Sequence, residues 1–125
     1  MIGRYSREEM SKIWDLNSKF DYYLQVELAV CDAYAQLGTI PADAAKQIRQ
    51  DAKFSIERID EIEKEVRHDV IAFLTCVNES LGDLGRYVHI GMTSSDVIDT
   101  AFALQIKDSG EIILEDLNKT ISTLK

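Results

Sequence analysis

Apolar residues recur at three- and four-residue intervals along nearly the whole chain, the period of one face of an α-helix. The first stripe takes in Ile13, Trp14, Phe20, Leu24, Leu28, Cys31 and Ala35. Ser6 and Glu9 ahead of it stand in capping-box relation, so the spacing predicts one helix from Ser6 to about Leu37, with Gly38 as its left-handed stop. Pro41 suits the first turn of a shorter helix ending near Ala52, because its missing N–H has no partner to lose there. Ser55 is positioned to cap a third helix, in which Ile56, Ile59, Ile62 and Val66 form one face and the interleaved charges a solvated one. The pattern resumes at Val70, Phe73, Leu74, Val77 and Leu81 and closes at Gly82. No strand-like alternation, repeat or Pro/Gly/Ser linker occurs, so the expected fold class is all-α.

The last quarter differs. From Ser94 the stripe Phe102, Ile106, Ile113, Leu117, Ile121 and Leu124 runs to the final turn, interrupted only by Gly110, which a strong helical pattern tolerates at about 1 kcal/mol relative to Ala. At about 1.5 Å per residue such a helix reaches roughly 45 Å, longer than a domain of this size is wide. This divides the chain into a helical region over 1–93 and the opening of a long helix over 94–125. The stripe is still running at Lys125, from which we expect the natural chain to continue.

Charge and composition narrow the function. A net charge of −8 leaves no excess of cations to displace counterions from phosphates, which argues against nucleic acid as a partner. No apolar run approaches the roughly 20 residues of a membrane span, and the start MIGRYSREEM is charged where a signal peptide turns apolar, so we expect a cytoplasmic protein with no membrane partner. Cys31 and Cys76 lie apart among apolar neighbours and read as buried, reduced thiols, and no metal site is expected.

Two polar clusters interrupt the helical pattern. In Val88-His-Ile-Gly-Met-Thr-Ser-Ser-Asp-Val, Thr93 and Asp96 suffice to cap the long helix, which leaves Ser94 and Ser95 over. They either mark nothing more than a good helix start or line the unpaired N–H groups of the first turn as a cradle for a carboxylate or phosphate, with Gly91 permitting close approach and His89 adding a donor. Arg67-His68-Asp69 separates two apolar stripes. It is either an exposed charged patch or, if the chain breaks there, a group whose side chains converge; on a straight helix they point about 100° apart. Both histidines of the chain, the commonest general acids and bases, fall in these clusters.

The blocks Arg4-Tyr5-Ser6, Arg67-His68-Asp69-Val70 and Val88 to Ala101 ("VHIGMTSSDVIDTA") resemble, in order and spacing, the N-terminal portion of the adenylosuccinate lyases of the fumarase/aspartase superfamily. The resemblance covers essentially the whole chain. It implies the helical N-terminal domain of that superfamily, ending in the first helix of a central bundle. It also implies a homotetramer with active sites shared between subunits, and elimination of fumarate from adenylosuccinate to give AMP, and from the succinylaminoimidazole carboxamide ribonucleotide, without metal or organic cofactor. Carried over residue by residue, Thr93, Ser94 and Ser95 would bind the succinyl carboxylates, and His68 would belong to the general-acid machinery. Arg4 and Tyr5 would hold the nucleotide phosphate, with His89 near it. Arg67 and Asp69 would lie against the nucleotide, Asp69 on the ribose hydroxyls. The family's second histidine and serine base belong to segments not found in these 125 residues, so the chain alone is expected to be inactive. A different class of function stays open beside this one, a stand-alone helical interaction module that uses the stripe from Phe102 to Leu124 as a partner surface.

Overall fold

The computed structural model describes residues 3–125, and every regular element in it is helical. A 3-10 turn at Gly3–Tyr5 leads into α1 (Glu8–Ile13), α2 (Leu16–Gln36), α3 (Ala42–Asp51), α4 (Ile56–Val66) and α5 (Asp69–Leu81). A second 3-10 turn at Gly82–Tyr87 precedes α6 (Ser94–Leu124). None of these helices is long and apolar enough to cross a membrane.

Most boundaries follow the local chemistry. Ser55 Oγ accepts the Arg58 N–H at 3.3 Å to start α4, and Gly38 (φ 73°) and Gly82 (φ 54°) take the positive φ expected after α2 and α5. Pro41 sits one residue outside α3, as its N-cap.

The start of the chain departs from the pattern. The helix expected over Ser6–Leu37 is two helices, broken at Trp14–Asp15, because the Asp15 carboxylate accepts the Ser18 N–H at 2.7 Å and opens α2 afresh. Nor does Ser6 form its capping box with Glu9. The N-cap of α1 is Arg7, the Ser6 hydroxyl donates to the Gly3 carbonyl at 3.3 Å, and the Glu9 carboxylate accepts from Arg7 at 2.6 Å.

The break turns α1 back along α6. Gln105 Nε2 on α6 donates to the Ile13 carbonyl at 2.8 Å, Trp14 meets Phe102 edge-on with ring centroids 5.9 Å apart, and Arg7 binds Asp116 further along α6. Helix α2 is the central strut, packed on α3 at one side and α6 at another. Its Phe20 and Tyr23 join Phe73 of α5 in an aromatic cluster, with Phe20 stacked on Phe73 at 5.6 Å. Phe73, Ile48, Ile59, Val70, Val77 and Val97 are fully buried around that cluster, where each such side chain contributes roughly 1.5–3 kcal/mol. Cys31 and Cys76 are buried free thiols.

Helix α6 is unbroken at Gly110. Its first half is anchored by the buried Val97, Ala101 and Gln105. Phe102, Ile106, Ile113, Leu114, Leu117, Ile121 and Leu124 are all exposed.

Candidate active site

The chain does break within Arg67-His68-Asp69. Arg67 ends α4 in the left-handed region (φ 53°), and His68 is extended (φ −152°, ψ 115°) and caps α5. A non-glycine residue at positive φ carries some strain, and here it reorients the chain so that Arg67, His68 and Asp69 line one cleft of about 470 Å³ together with Lys19 and Glu63. His68 Nδ1 accepts the Ile71 N–H at 3.4 Å. A neutral ring held this way carries its proton on Nε2. Asp69 Oδ1 accepts the Val70 N–H at 2.8 Å, and its Oδ2 lies 3.6 Å from the Lys19 ammonium.

Lys19 was not evident as a site residue in the sequence, since its partners come from elsewhere in the fold. Its ammonium lies 5.3 Å from the ring centroids of Phe20 and Tyr23 as well as beside Asp69. Burial, followed by the charge of Asp69, pushes the Tyr23 phenol up to about 12. Lys19 and Asp69 also line a second cleft of about 610 Å³, which runs on to Ile98, Asp99 and Phe102 in the opening turns of α6. His68 does not line this second cleft; it is the second cleft, joined to the first through Leu16, Lys19 and Asp69, that comes within about one helical turn of Ser94 and Ser95.

At that start, Thr93 and Asp96 form the capping box, with Asp96 Oδ2 accepting the Thr93 N–H at 2.8 Å. Among the described residues neither the Ser94 nor the Ser95 hydroxyl has a hydrogen-bond partner. Their backbone N–H groups belong to the first turn, which has no intrahelical acceptors to offer. Gly91 has φ 69°, and a Cβ there would stand 3.0 Å from the Tyr34 hydroxyl, so the turn before the helix needs glycine on both counts.

His89 is engaged by α2 through its backbone and one ring nitrogen. It adopts φ 66°, its N–H donates to Glu27 Oε2 at 3.0 Å, and its Nδ1 lies 2.6 Å from Glu27 Oε1. Glu27 is only 1% exposed. Burial raises its pKa, and the bonds from His89 act in the opposite direction. Glu27 continues the buried face of α2 one turn after Tyr23 and one turn before Cys31, and a carboxylate in that register was the sequence's only sign of it.

Helix α2 thus holds both clusters. Lys19 engages Asp69 and, eight residues later, Glu27 engages His89, a separation of roughly 12 Å along the helix axis. Arg4 and Tyr5 lie elsewhere. Both are exposed, with the Arg4 guanidinium 4.7 Å from the Tyr5 ring centroid, and they lead into the segment anchored on Asp116. Asp116 is about 22 residues along α6 from Ser94, roughly 33 Å. One chain does not bring Arg4 and Tyr5 to the hydroxyls of Ser94 and Ser95. No cluster of three or more metal-competent side chains occurs among the described residues.

This geometry accompanies a close relationship in sequence. The family described as Lyase matches residues 3–125. The chain belongs to this lyase family. It is 56% identical over its whole length to an adenylosuccinate lyase of Synechocystis sp. and 48% identical to one of Bacillus subtilis (strain 168), and in each case spans 29% of the relative's length. Among solved structures, a fumarate lyase from Mesorhizobium sp. BNC1 superposes with a TM-score of 0.73 at 30% identity, over 83% of this chain and 26% of that one. These lyase relatives do not favour the alternative of a stand-alone helical interaction module.

Proposed function

We propose that the chain supplies the substrate-binding N-terminal part of an adenylosuccinate lyase, a cytoplasmic enzyme of purine biosynthesis that releases fumarate from adenylosuccinate and from the succinylaminoimidazole carboxamide ribonucleotide. The observation that carries this reading is the capping of α6. Thr93 and Asp96 close the box between them, so the Ser94 and Ser95 hydroxyls and the first-turn N–H groups are left for a ligand, and the helix dipole there favours an anion. In a β-elimination a base takes the proton beside a carboxylate, charge accumulates on that group, the C–N bond breaks, and an acid protonates the departing nitrogen. Donors fixed around the carboxylate stabilise the charge as it develops.

In this reading Thr93, Ser94 and Ser95 hold the succinyl carboxylates, and His68 offers its Nε2 proton within the general-acid machinery. Arg67 and Asp69 lie against the nucleotide, with Asp69 on the ribose, and His89 faces the phosphate. Arg4 and Tyr5 also serve the phosphate, but in a site completed by another copy, because their own chain holds them toward the far end of α6. That separation and the exposed apolar face of α6 support a homotetramer built on the long helices over 94–125, with sites shared between subunits. The base and a second histidine come from chain beyond these residues, so the 125-residue polypeptide alone has no lyase activity.

The test is a titration with fumarate while backbone amide shifts are followed. Millimolar affinity, about 4 kcal/mol, is expected for a partial site. The largest changes should fall on Gly91 and Thr93–Asp96 and shrink in the Ser94→Ala/Ser95→Ala variant. Small uniform shifts would leave the two serines as a helix start only.

A further inference from the structure

Glu27 is the only carboxylate among the most deeply buried side chains described, and one residue uses both of its oxygens. Oε2 accepts the His89 N–H at 3.0 Å and Oε1 meets His89 Nδ1 at 2.6 Å. His89 stands at φ 66° in the turn that delivers Thr93, and its side chain keeps about 20% of its surface open. The Cys31 thiol, one turn further along α2, donates to the Tyr87 carbonyl two residues before His89, so the same face of α2 holds this turn at two points. A carboxylate buried away from water is costly unless its partners satisfy it, and here a single turn supplies them both.

From this geometry we infer that Glu27 is a positioning residue. It fixes the turn that precedes the anion cradle and holds the His89 ring with its proton on Nδ1, so that Nε2 is the nitrogen left to take up a second proton and donate to the phosphate of a nucleotide. An ionised carboxylate can only accept, so the nitrogen facing it must donate. His89 is then set opposite to His68, whose Nδ1 accepts from the Ile71 N–H, which leaves the proton of a neutral ring on Nε2. The role assigned to Nε2 of His89 rests on the reading of the site given above. The state of Nδ1 does not.

Ring nitrogen resonances of the two histidines, recorded on this chain at about pH 8, where an ordinary imidazole is neutral, test the inference. The expected result is a protonated Nδ1 on His89 and a protonated Nε2 on His68. A bare Nδ1 on His89 overturns it. Glu27→Gln keeps the shape but has one acceptor and one donor. With its oxygen on the His89 N–H, its amide faces Nδ1 and drives the ring to the Nε2-protonated form, whereas an unchanged ring in this variant counts against Glu27 as the cause. If Glu27→Gln does not fold, Glu27→Asp retains two acceptors, and the proton should stay on Nδ1; a switch to Nε2 overturns the inference. Added inorganic phosphate should move the Nε2 resonance of the native ring toward its protonated position and leave Nδ1 still, a response lost in Glu27→Gln. If phosphate moves no resonance in the native chain, the anion-site reading fails while the Nδ1 result still decides the role of Glu27.

Discussion

The Tyr22 hydroxyl donates to Asp108 Oδ2 at 2.5 Å, a side-chain bond that ties α2 to α6. Burial, and then the hydrogen bond to Asp108, pushes the Tyr22 phenol up to about 12, and burial does the same for Tyr23. In the unfolded chain both ionise near 10, so the folded state holds these protons more tightly. Their contribution to stability is complete below about pH 10 and is lost as the pH rises toward 12. Urea midpoints measured between pH 9 and about 12 should fall across that window. Tyr22→Phe should show a shallower fall, and at neutral pH should cost about 2 kcal/mol, because it strands a half-buried carboxylate. An identical alkaline profile in that variant would remove Tyr22 from the account.

The cap and the cradle share a helix turn and Thr93, but Asp96 belongs to the cap and Ser94 and Ser95 to the cradle, so substitution at these positions separates them. Asp96→Ala breaks the capping box and should cost about 1 kcal/mol in urea unfolding. It also removes a negative charge from the anion site, so fumarate should bind it more tightly than the native chain. Ser94→Ala/Ser95→Ala should do the reverse, with stability within about 0.5 kcal/mol of native and the fumarate response lost. Parallel effects on stability and binding in both variants would mean that the two functions are not separable.

Gly91 and Gly38 test the same backbone requirement in different surroundings. Both have positive φ, but a Cβ at Gly38 meets nothing within 4 Å, whereas at Gly91 it meets the Tyr34 hydroxyl at 3.0 Å. Gly38→Ala should therefore cost about 1 kcal/mol from conformation alone, and Gly91→Ala more. Removing the hydroxyl with Tyr34→Phe should recover part of the excess at Gly91 and none of the cost at Gly38, as read from a double-mutant cycle.

The exposed face of α6 should drive association. Ile113, Leu114, Leu117, Ile121 and Leu124 are wet in a single chain, and burying each is worth roughly 1.5–3 kcal/mol. Light scattering should show the apparent mass rising with concentration, and Leu117→Lys/Ile121→Lys should hold it at one chain, 14.2 kDa. A native protein that stays at that mass at the highest concentration would contradict this.

What the sequence disclosed was local. Ser55, Gly38, Gly82 and the Thr93–Asp96 pair act on backbone within four residues, so their spacing was enough to place them. The break at Asp15 was local too, but apolar positions continue through Ile13 and Trp14, and the stronger-looking cap at Ser6 drew the helix start away from it. Glu27 and Lys19 stayed hidden for another reason. Their partners lie at His89, 62 residues distant, and at Asp69, and a charged residue within an apolar stripe gives no sign of what it will meet. The hydroxyls left over after Thr93 were legible as chemistry, whereas the cleft that runs from Lys19 and Asp69 toward them depends on how α2 and α6 dock.

Lys19 and Glu27 lie on one uninterrupted helix, and that makes α2 intolerant of changes in length. One residue inserted between them would turn the second about 100° around the axis and shift it about 1.5 Å, so that either Asp69 or His89 would lose its partner. Even a full extra turn would restore the direction only approximately while separating the two anchors by several ångströms. Insertions and deletions should therefore be accepted in the connections at 37–41 and 52–55, which no candidate site residue occupies, and rejected between 19 and 27. A scan of single-residue insertions along the chain would map this rigid interval directly.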